Sequence, residues 1–344
     1  MFPQTRHHML MKTAVPLPRP TPASIAQLHH LLDAGQALSA TYRGSLSNHL
    51  PMGQQALLEL GASAERLQAW SEAQEALLEP RVYARPARVA TERDLGRADS
   101  DAAWRVHFAA RIADVGAAAT LREALPQLLD GAGAIAFHGL IRTGHAVLAG
   151  HDGELAAGLA HWAAHWLPLP TTAGGPALEL TAWLQALVGL PRPTYPAGSL
   201  ISGRMQAWGG SPGFTAVAGR LRHGSDTLRD LALLAARTYA ATGNFTVLHL
   251  LTASHAMTVL EPWWPTPEPA RGFSVAVVAG LLASGAEPAL MLDRPPSRPW
   301  PALISAACEQ DDAHLIKLTH AAWRLGRRWP DPAWRRAAER AIPF

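Results

Sequence analysis

The sequence predicts an all-α fold, a single large multi-helix domain around a histidine-lined central pocket, and three observations carry the prediction. Alanine and leucine dominate while valine, isoleucine and tyrosine are scarce, which sets the intrinsic preference toward helix over strand. Apolar residues recur at three- and four-residue spacing along most of the chain, with no sustained two-residue alternation. Several histidines sit inside apolar helical segments, where an unpaired imidazole is costly, so they are expected to share one polar site.

Residues 1–22 read as a disordered or extended leader, because Pro16, Pro18 and Pro20 arrive before any signal-peptide core can form. Residues 23–344 read as one helical domain. Thr21-Pro22 opens a helix through about Ala37, as cap and first-turn residues should. Asn48, with Pro51 shortly after, opens a second to about Gly61, and Ser63-Ala64-Glu65 starts a third that ends near Glu79-Pro80. After a proline- and arginine-rich connection over 80–100, helices are expected at about 101–114, 117–130, 134–149, 153–166 and 177–189. Further helices follow at 213–221, 226–241, 244–260, 272–284, 298–309, 311–327 and 331–342. The Pro/Gly-rich stretch 190–213 reads either as a domain boundary or as a long loop over an active-site mouth. Short loops elsewhere favour one continuous domain.

Composition excludes several function classes. Hydrophobic residues at 48% and charged residues at 17% of 344 describe a globular chain with a large core. A single cysteine, Cys308, excludes an internal disulfide framework and a multi-cysteine metal site, and its apolar surroundings make it a packed core thiol. The net charge of +3 is small for this length. Arg81, Arg85 and Arg88 mark one loop, and Arg327, Arg328, Arg335, Arg336 and Arg340 a C-terminal cluster. Both read as solvated basic faces without the interleaved aromatics of a nucleic-acid surface. No apolar run reaches the roughly 18–20 residues that span a bilayer, so a cytoplasmic protein is expected. There is no H-E-x-x-H, P-loop, G-x-S-x-G elbow or dinucleotide fingerprint.

Histidine is the informative anomaly. Of 16, four lie in bulky apolar settings: Asn48-His49-Leu50-Pro51, Phe137-His138-Gly139-Leu140-Ile141-Arg142, Leu248-His249-Leu250-Leu251-Thr252 and Asp312-Ala313-His314-Leu315-Ile316-Lys317. Neutral imidazole is the commonest protein ligand for mid-row transition metals. Lysine is the second anomaly: only Lys12 and Lys317 occur among thirty basic residues, so Lys317 in a helix points to chemistry a guanidinium cannot do.

Helical geometry sorts these groups. His314 and Lys317, three apart, share a face, as do His138 and Arg142, four apart. His145 is seven residues from His138, about 10.5 Å along the axis, and is the weaker ligand candidate. His249 and His255, six apart, diverge by about 120°, with Thr252 sharing a face with each. His249 is favoured as ligand, and His255 as a residue of the pocket behind it. His161 and His165 read as amphipathic helix residues, His7, His8, His29 and His30 as N-terminal ones, and His107, His151, His223 and His320 as standing without partners. Twelve tryptophans, Trp162, Trp166, Trp208, Trp263 and Trp264 among them, suit an aromatic-lined pocket or plain core packing.

These segments, with Asn48-His49-Leu50-Pro51-Met52 followed by Leu60-Gly61-Ala62, resemble the questin oxidase-like family in order and rough spacing, over about residues 25–325. The resemblance implies an oxygenase. The family includes fungal enzymes that oxidatively open anthraquinone rings in polyketide pathways, and a bacterial iron-dependent dioxygenase whose metal is held by histidines and a carboxylated lysine. By resemblance His49, His138, His249 and His314 are imidazole ligands of Fe(II) and Lys317 is the carboxylated ligand. His255 and His145 also fall in matching segments and stand as alternatives for the fourth histidine. Fungal members carry a second histidine shortly after the first; here those positions are Pro51, Met52 and Gly53.

A lysine carbamate would supply an anionic oxygen ligand suited to ferrous iron, and needs a neutral amine to form. Arg142 would orient an anionic phenolate or reduced oxygen species, or form a structural ion pair. The expected partners are an aromatic small-molecule substrate and dioxygen. Two other readings stay open: a metal-free, NADPH-dependent Baeyer–Villiger-type monooxygenase, and a non-catalytic helical ligand-binding protein.

Overall fold

Several helix starts in this chain are set by short polar side chains that satisfy the first free backbone N–H groups. A computed structural model describes residues 19–82, 89–172, 174–264 and 269–342. In it Thr21 and Ser24 form a reciprocal capping box that opens α1 (Pro22–Gly35). Asn48 Oδ1 accepts from the Leu50 amide, and α2 (Leu50–Leu60) follows, closed by Gly61 in the left-handed conformation. Ser63 caps α3 (Ala64–Glu75). A two-stranded antiparallel hairpin, β1 (Thr41–Tyr42) and β2 (Leu46–Ser47), lies between α1 and α2.

The remaining helices are α4 (Asp101–Val115), α5 (Ala117–Leu128), α6 (His138–Ala149), α7 (Asp152–Ala164), α8 (Leu180–Val188) and α9 (Ile201–Gly209). They continue as α10 (Pro212–Ala218), α11 (Thr227–Thr242), α12 (Phe245–Leu260), α13 (Pro269–Ser284), α14 (Trp300–Cys308), α15 (Ala313–Arg328) and α16 (Pro332–Ala341). Among the described residues no other strand pair forms, so the fold is all-α as expected. No helix of the described residues is long and apolar enough to cross a membrane.

The architecture is centred on α12. Its residues 246–257 are buried without interruption, and α6, α11, α13 and α15 pack around it. A helix apolar all round belongs inside a core, which explains its weak amphipathic signal. The pairs α2–α6, α6–α12, α12–α15 and α15–α2 are all in contact, so these four helices close a ring. α6 also lies against α7 at a close approach: a Cβ on Gly139 would fall 2.6 Å from the Cα of Trp162. Gly139→Ala is therefore expected to destabilise the protein by about 1–3 kcal/mol through overpacking against backbone, read as a lowered denaturant midpoint with unchanged slope.

Several expectations need correction. The stretch 190–213 is not a bare loop, since α9 forms inside it and packs on α13. α6 begins at His138 and not at 134, because Ile135, Ala136 and Phe137 all have positive φ. Arg336 is not part of a solvated face: it is buried, with Glu339 and Asp293 as ionic partners. Residues 1–18, including His7, His8 and Lys12, lie outside the described residues, as do Arg85 and Arg88. Cys308 is buried against Leu57 and Leu60 in a small apolar cluster, a core thiol as expected.

Candidate metal centre

Four helix starts deliver four histidines to one place. His49 precedes α2, and Asn48 fixes the approach: its amide donates to the Ala40 carbonyl at 2.9 Å and its side chain to the Ser39 carbonyl at 3.0 Å. His138 opens α6 after the left-handed run Ile135 (φ 45°), Ala136 (φ 53°) and Phe137 (φ 68°). Such conformations cost non-glycine residues of order 1–3 kcal/mol each and persist only where surroundings impose them. Phe137 is fully buried, and the run presents the Ile135 carbonyl to His138 Nδ1 at 2.5 Å. On α12, His249 Nδ1 lies 2.8 Å from the Phe245 carbonyl. On α15, Asp312 Oδ1 accepts from the His314 amide and from His314 Nδ1, each at 2.8 Å.

With Nδ1 donating to these oxygens, His138, His249 and His314 each keep the Nε2 lone pair free, the tautomer a metal ligand needs. The rings face one another. His49 Nε2 lies 2.8 Å from His138 Nε2, and ring centroids are 4.3 Å apart for His49–His314, 4.9 Å for His138–His249 and 5.5 Å for His249–His314. One nitrogen each from His49, His138 and His314 falls within 4.8 Å of the others, so this trio can hold a metal ion. His249 completes the ring of four imidazoles through its contacts with His138 and His314.

Burial, followed by neighbouring cationic groups, holds His49, His138 and His249 well below the usual histidine range. Lys317 is 1% exposed, and burial pushes its amine from 10.5 down to about 7 against the opposing pull of Asp312. Among the described residues no hydrogen-bond or ion-pair partner meets that amine. A buried, partner-free amine that is part neutral near pH 7 is a nucleophile.

The other expected residues fall elsewhere. Arg142 is buried and forms a two-point salt bridge to Glu154, at 2.5 and 2.9 Å, the structural ion pair of the two roles open to it. The Thr252 hydroxyl is turned back on its own helix, toward the Leu248 and His249 carbonyls at 3.2 Å. His145 and His255 do not join the first four. They sit with His320, whose expected isolation is corrected: His320 Nε2 is 2.8 Å from Glu59, and its ring is 5.5 Å from His145 and 5.1 Å from His255. His161 is fully buried on α7 beside His165, with neither ring nitrogen partnered. The spacing signal for the second trio was present but unread. His249/His255 and His314/His320 are each six apart, and His138/His145 seven.

The same contacts fix the direction of the helices. Near the starts of α2 and α6, His49 meets His138; one to two turns on, Gln55 meets His145 at 2.6 Å. Likewise His249 meets His314 early in α12 and α15, and His255 meets His320 later. α2, α6, α12 and α15 therefore run parallel, with all four starts at the His49 end.

That end is near the surface. His49 and His314 are half-buried, and Phe245, 54% exposed, packs its ring on His249 and His314 at 4.9 and 4.8 Å. A cavity of about 1160 Å³ lies beside the hairpin and is lined by residues that include Arg105, His165, Trp166 and Gln206. None of the four histidines lines it, but Ile135, whose carbonyl holds His138, and Ser39 and Ala40, whose carbonyls hold Asn48, do.

The fold and site define an all-helical protein with a buried imidazole ring able to hold a metal ion. Residues 46–181 match the Questin oxidase-like family, which bears out the resemblance over the segment carrying His49 and His138. His249, His314 and Lys317 lie beyond the matched segment. No curated protein matches the chain.

Proposed function

We propose that this protein is a non-heme iron oxygenase that opens or cleaves a ring of a polycyclic aromatic, anthraquinone-like polyketide with dioxygen. In this reading His49, His138, His249 and His314 hold one Fe(II), and Lys317 adds an anionic oxygen ligand as its carbamate. Residues 23–344 are taken as a single domain. The observation that carries the proposal is the donor set: neutral imidazoles with outward Nδ1 groups fixed by protein oxygens, next to a buried amine with no partner. Imidazole and carboxylate-type oxygen donors together suit ferrous iron.

Iron bound there would supply the redox chemistry that couples dioxygen to an aromatic ring. The protein's own groups do the rest. The Lys317 lone pair attacks carbon dioxide, forming an N–C bond and releasing one proton, which burial favours by keeping the amine neutral. Asp312 and the Ile135 and Phe245 carbonyls hold three rings in the ligating tautomer. The exposed Phe245 ring offers a planar aromatic a stacking face at the mouth of the site. Arg142 and Thr252 are given no part in the chemistry: Arg142 Nε and Nη2 are committed to Glu154, leaving only Nη1 unpartnered, and the Thr252 hydroxyl is turned to the helix backbone.

Elemental analysis of tag-free protein tests the reading. His138→Gln is expected to lower iron content by at least about tenfold, the scale on which metal sites respond to losing a supporting group, and to end oxygen consumption with an anthraquinone. Iron-free protein that consumes oxygen with NADPH and the same substrate would replace this reading with the metal-free monooxygenase.

A further inference from the structure

We infer that His145, His255 and His320 form a second transition-metal site, one that takes a divalent first-row ion such as zinc. It lies in the same bundle, about 9–10 Å further along the helices by their six- and seven-residue spacing from the first ring of histidines. The proposal goes beyond the oxygenase reading and does not rest on it.

Three observations carry it. First, the outer nitrogens of two of the rings are already engaged. His320 Nε2 donates to Glu59 Oε2 at 2.8 Å, and Arg324 holds the same carboxylate at 3.2 Å. His145 Nδ1 donates to Gln55 Oε1 at 2.6 Å. A carboxylate or amide oxygen behind an imidazole is the arrangement that orients metal-bound histidines. Second, the inner nitrogens of two of the rings are orphaned. His320 Nδ1 and His255 Nε2 are buried with no hydrogen-bond partner, although His320 is 0% and His255 3% exposed. Buried polar atoms without partners are rare and costly, and an ion between them would satisfy both. Third, two of the three ring pairs are suitably spaced. Two imidazoles on one tetrahedral ion place their centroids about 5 Å apart, given bonds of about 2.1 Å. The observed separations are 5.1 Å (His255–His320), 5.5 Å (His145–His320) and 6.2 Å (His145–His255). The His145–His255 pair is wider than this, and closing it requires a shift of one side chain, since turning a ring about χ2 moves its nitrogens but not its centroid.

Charge does not oppose an ion here. His145 and His255 are kept neutral by burial, and the groups facing the trio are the Glu59 carboxylate, Arg324 and the Lys317 amine. Three imidazoles backed by one carboxylate resemble the donor set of a three-histidine zinc site with a fourth position left open.

The test is an anaerobic Co(II) titration of chelator-stripped, tag-free full-length protein, followed by visible absorption and by metal-to-protein ratio. Two equivalents are expected for the wild type, one for His255→Gln and one for His138→Gln, with different spectra for the two variants. A wild-type endpoint at one equivalent, kept in His255→Gln and lost in His138→Gln, overturns the second site and leaves the first standing. One equivalent lost in His255→Gln but kept in His138→Gln supports the second site and removes the first. An endpoint at zero, or two equivalents retained in His255→Gln, overturns the proposal. Circular dichroism checks each variant's fold, and His145→Gln serves in the same role should His255→Gln not fold.

Discussion

Lys317→Arg is expected to lose iron and oxygenase activity together, while bicarbonate plus iron raises occupancy in the wild type alone. A guanidinium stays protonated far above neutral pH, so it can neither attack carbon dioxide nor serve as an anionic ligand. Because the site is buried, arginine also strains the core, and Lys317→Met separates the two effects. Methionine should fold, load iron poorly, and be the more stable protein once metal is stripped. A lysine amine moved from 10.5 to about 7 carries a folding penalty of about 5 kcal/mol. The sign follows from proton counting. Between pH 7 and 10.5 the unfolded chain binds the proton that the folded amine has lost, so this residue's contribution improves as pH rises. The penalty is complete below about pH 7, and there the methionine variant gains most. An arginine variant that loads iron and turns over normally would remove Lys317 from the site.

Metal-free protein is expected to unfold abruptly in mild acid. His49, His138, His145, His161, His249 and His255 are all held well below the ordinary histidine range by burial. Below the unfolded value of about 6.5, the unfolded chain takes up protons that the folded chain refuses, so stability falls as pH falls. Six such groups cost up to about 8 kcal/mol per pH unit, comparable with the whole stability of an ordinary domain. Thermal melts in chelator should show the midpoint dropping steeply from pH 6.5 to 5.5, and bound metal should move the drop to lower pH. A flat profile across that interval would mean the histidines are protonated in the folded state.

Much of this was legible in the residues. Thr21 and Ser63 cap helices where cap chemistry placed them, and the isolation of Lys317 among arginines pointed to chemistry a guanidinium cannot do. The meeting of His49, His138, His249 and His314 followed from asking where apolar helices could hide imidazoles. What was missed has physical causes. Ile201, Met205 and Trp208 keep a helical stripe in α9, but Gly203, Gly209 and Gly210 mask it. Ile135, Ala136 and Phe137 have no local preference for positive φ, and only the burial of Phe137 imposes it. The partnership of His320 with His145 and His255 joins three helices, and only the matching offsets of six, six and seven residues across those helices point to it.

The parallel run of α2, α6, α12 and α15 has an electrostatic consequence. Each helix start carries the equivalent of roughly half a positive charge from its aligned peptide dipoles. Antiparallel bundles cancel this from neighbour to neighbour, whereas here four such ends gather around His49, His138, His249 and His314. The potential there opposes protonation of imidazole and amine and welcomes negative charge, whether a carbamate oxygen, a phenolate or reduced oxygen. The opposite end of the bundle, toward Glu59 and His320, carries the complementary sign and favours a cation.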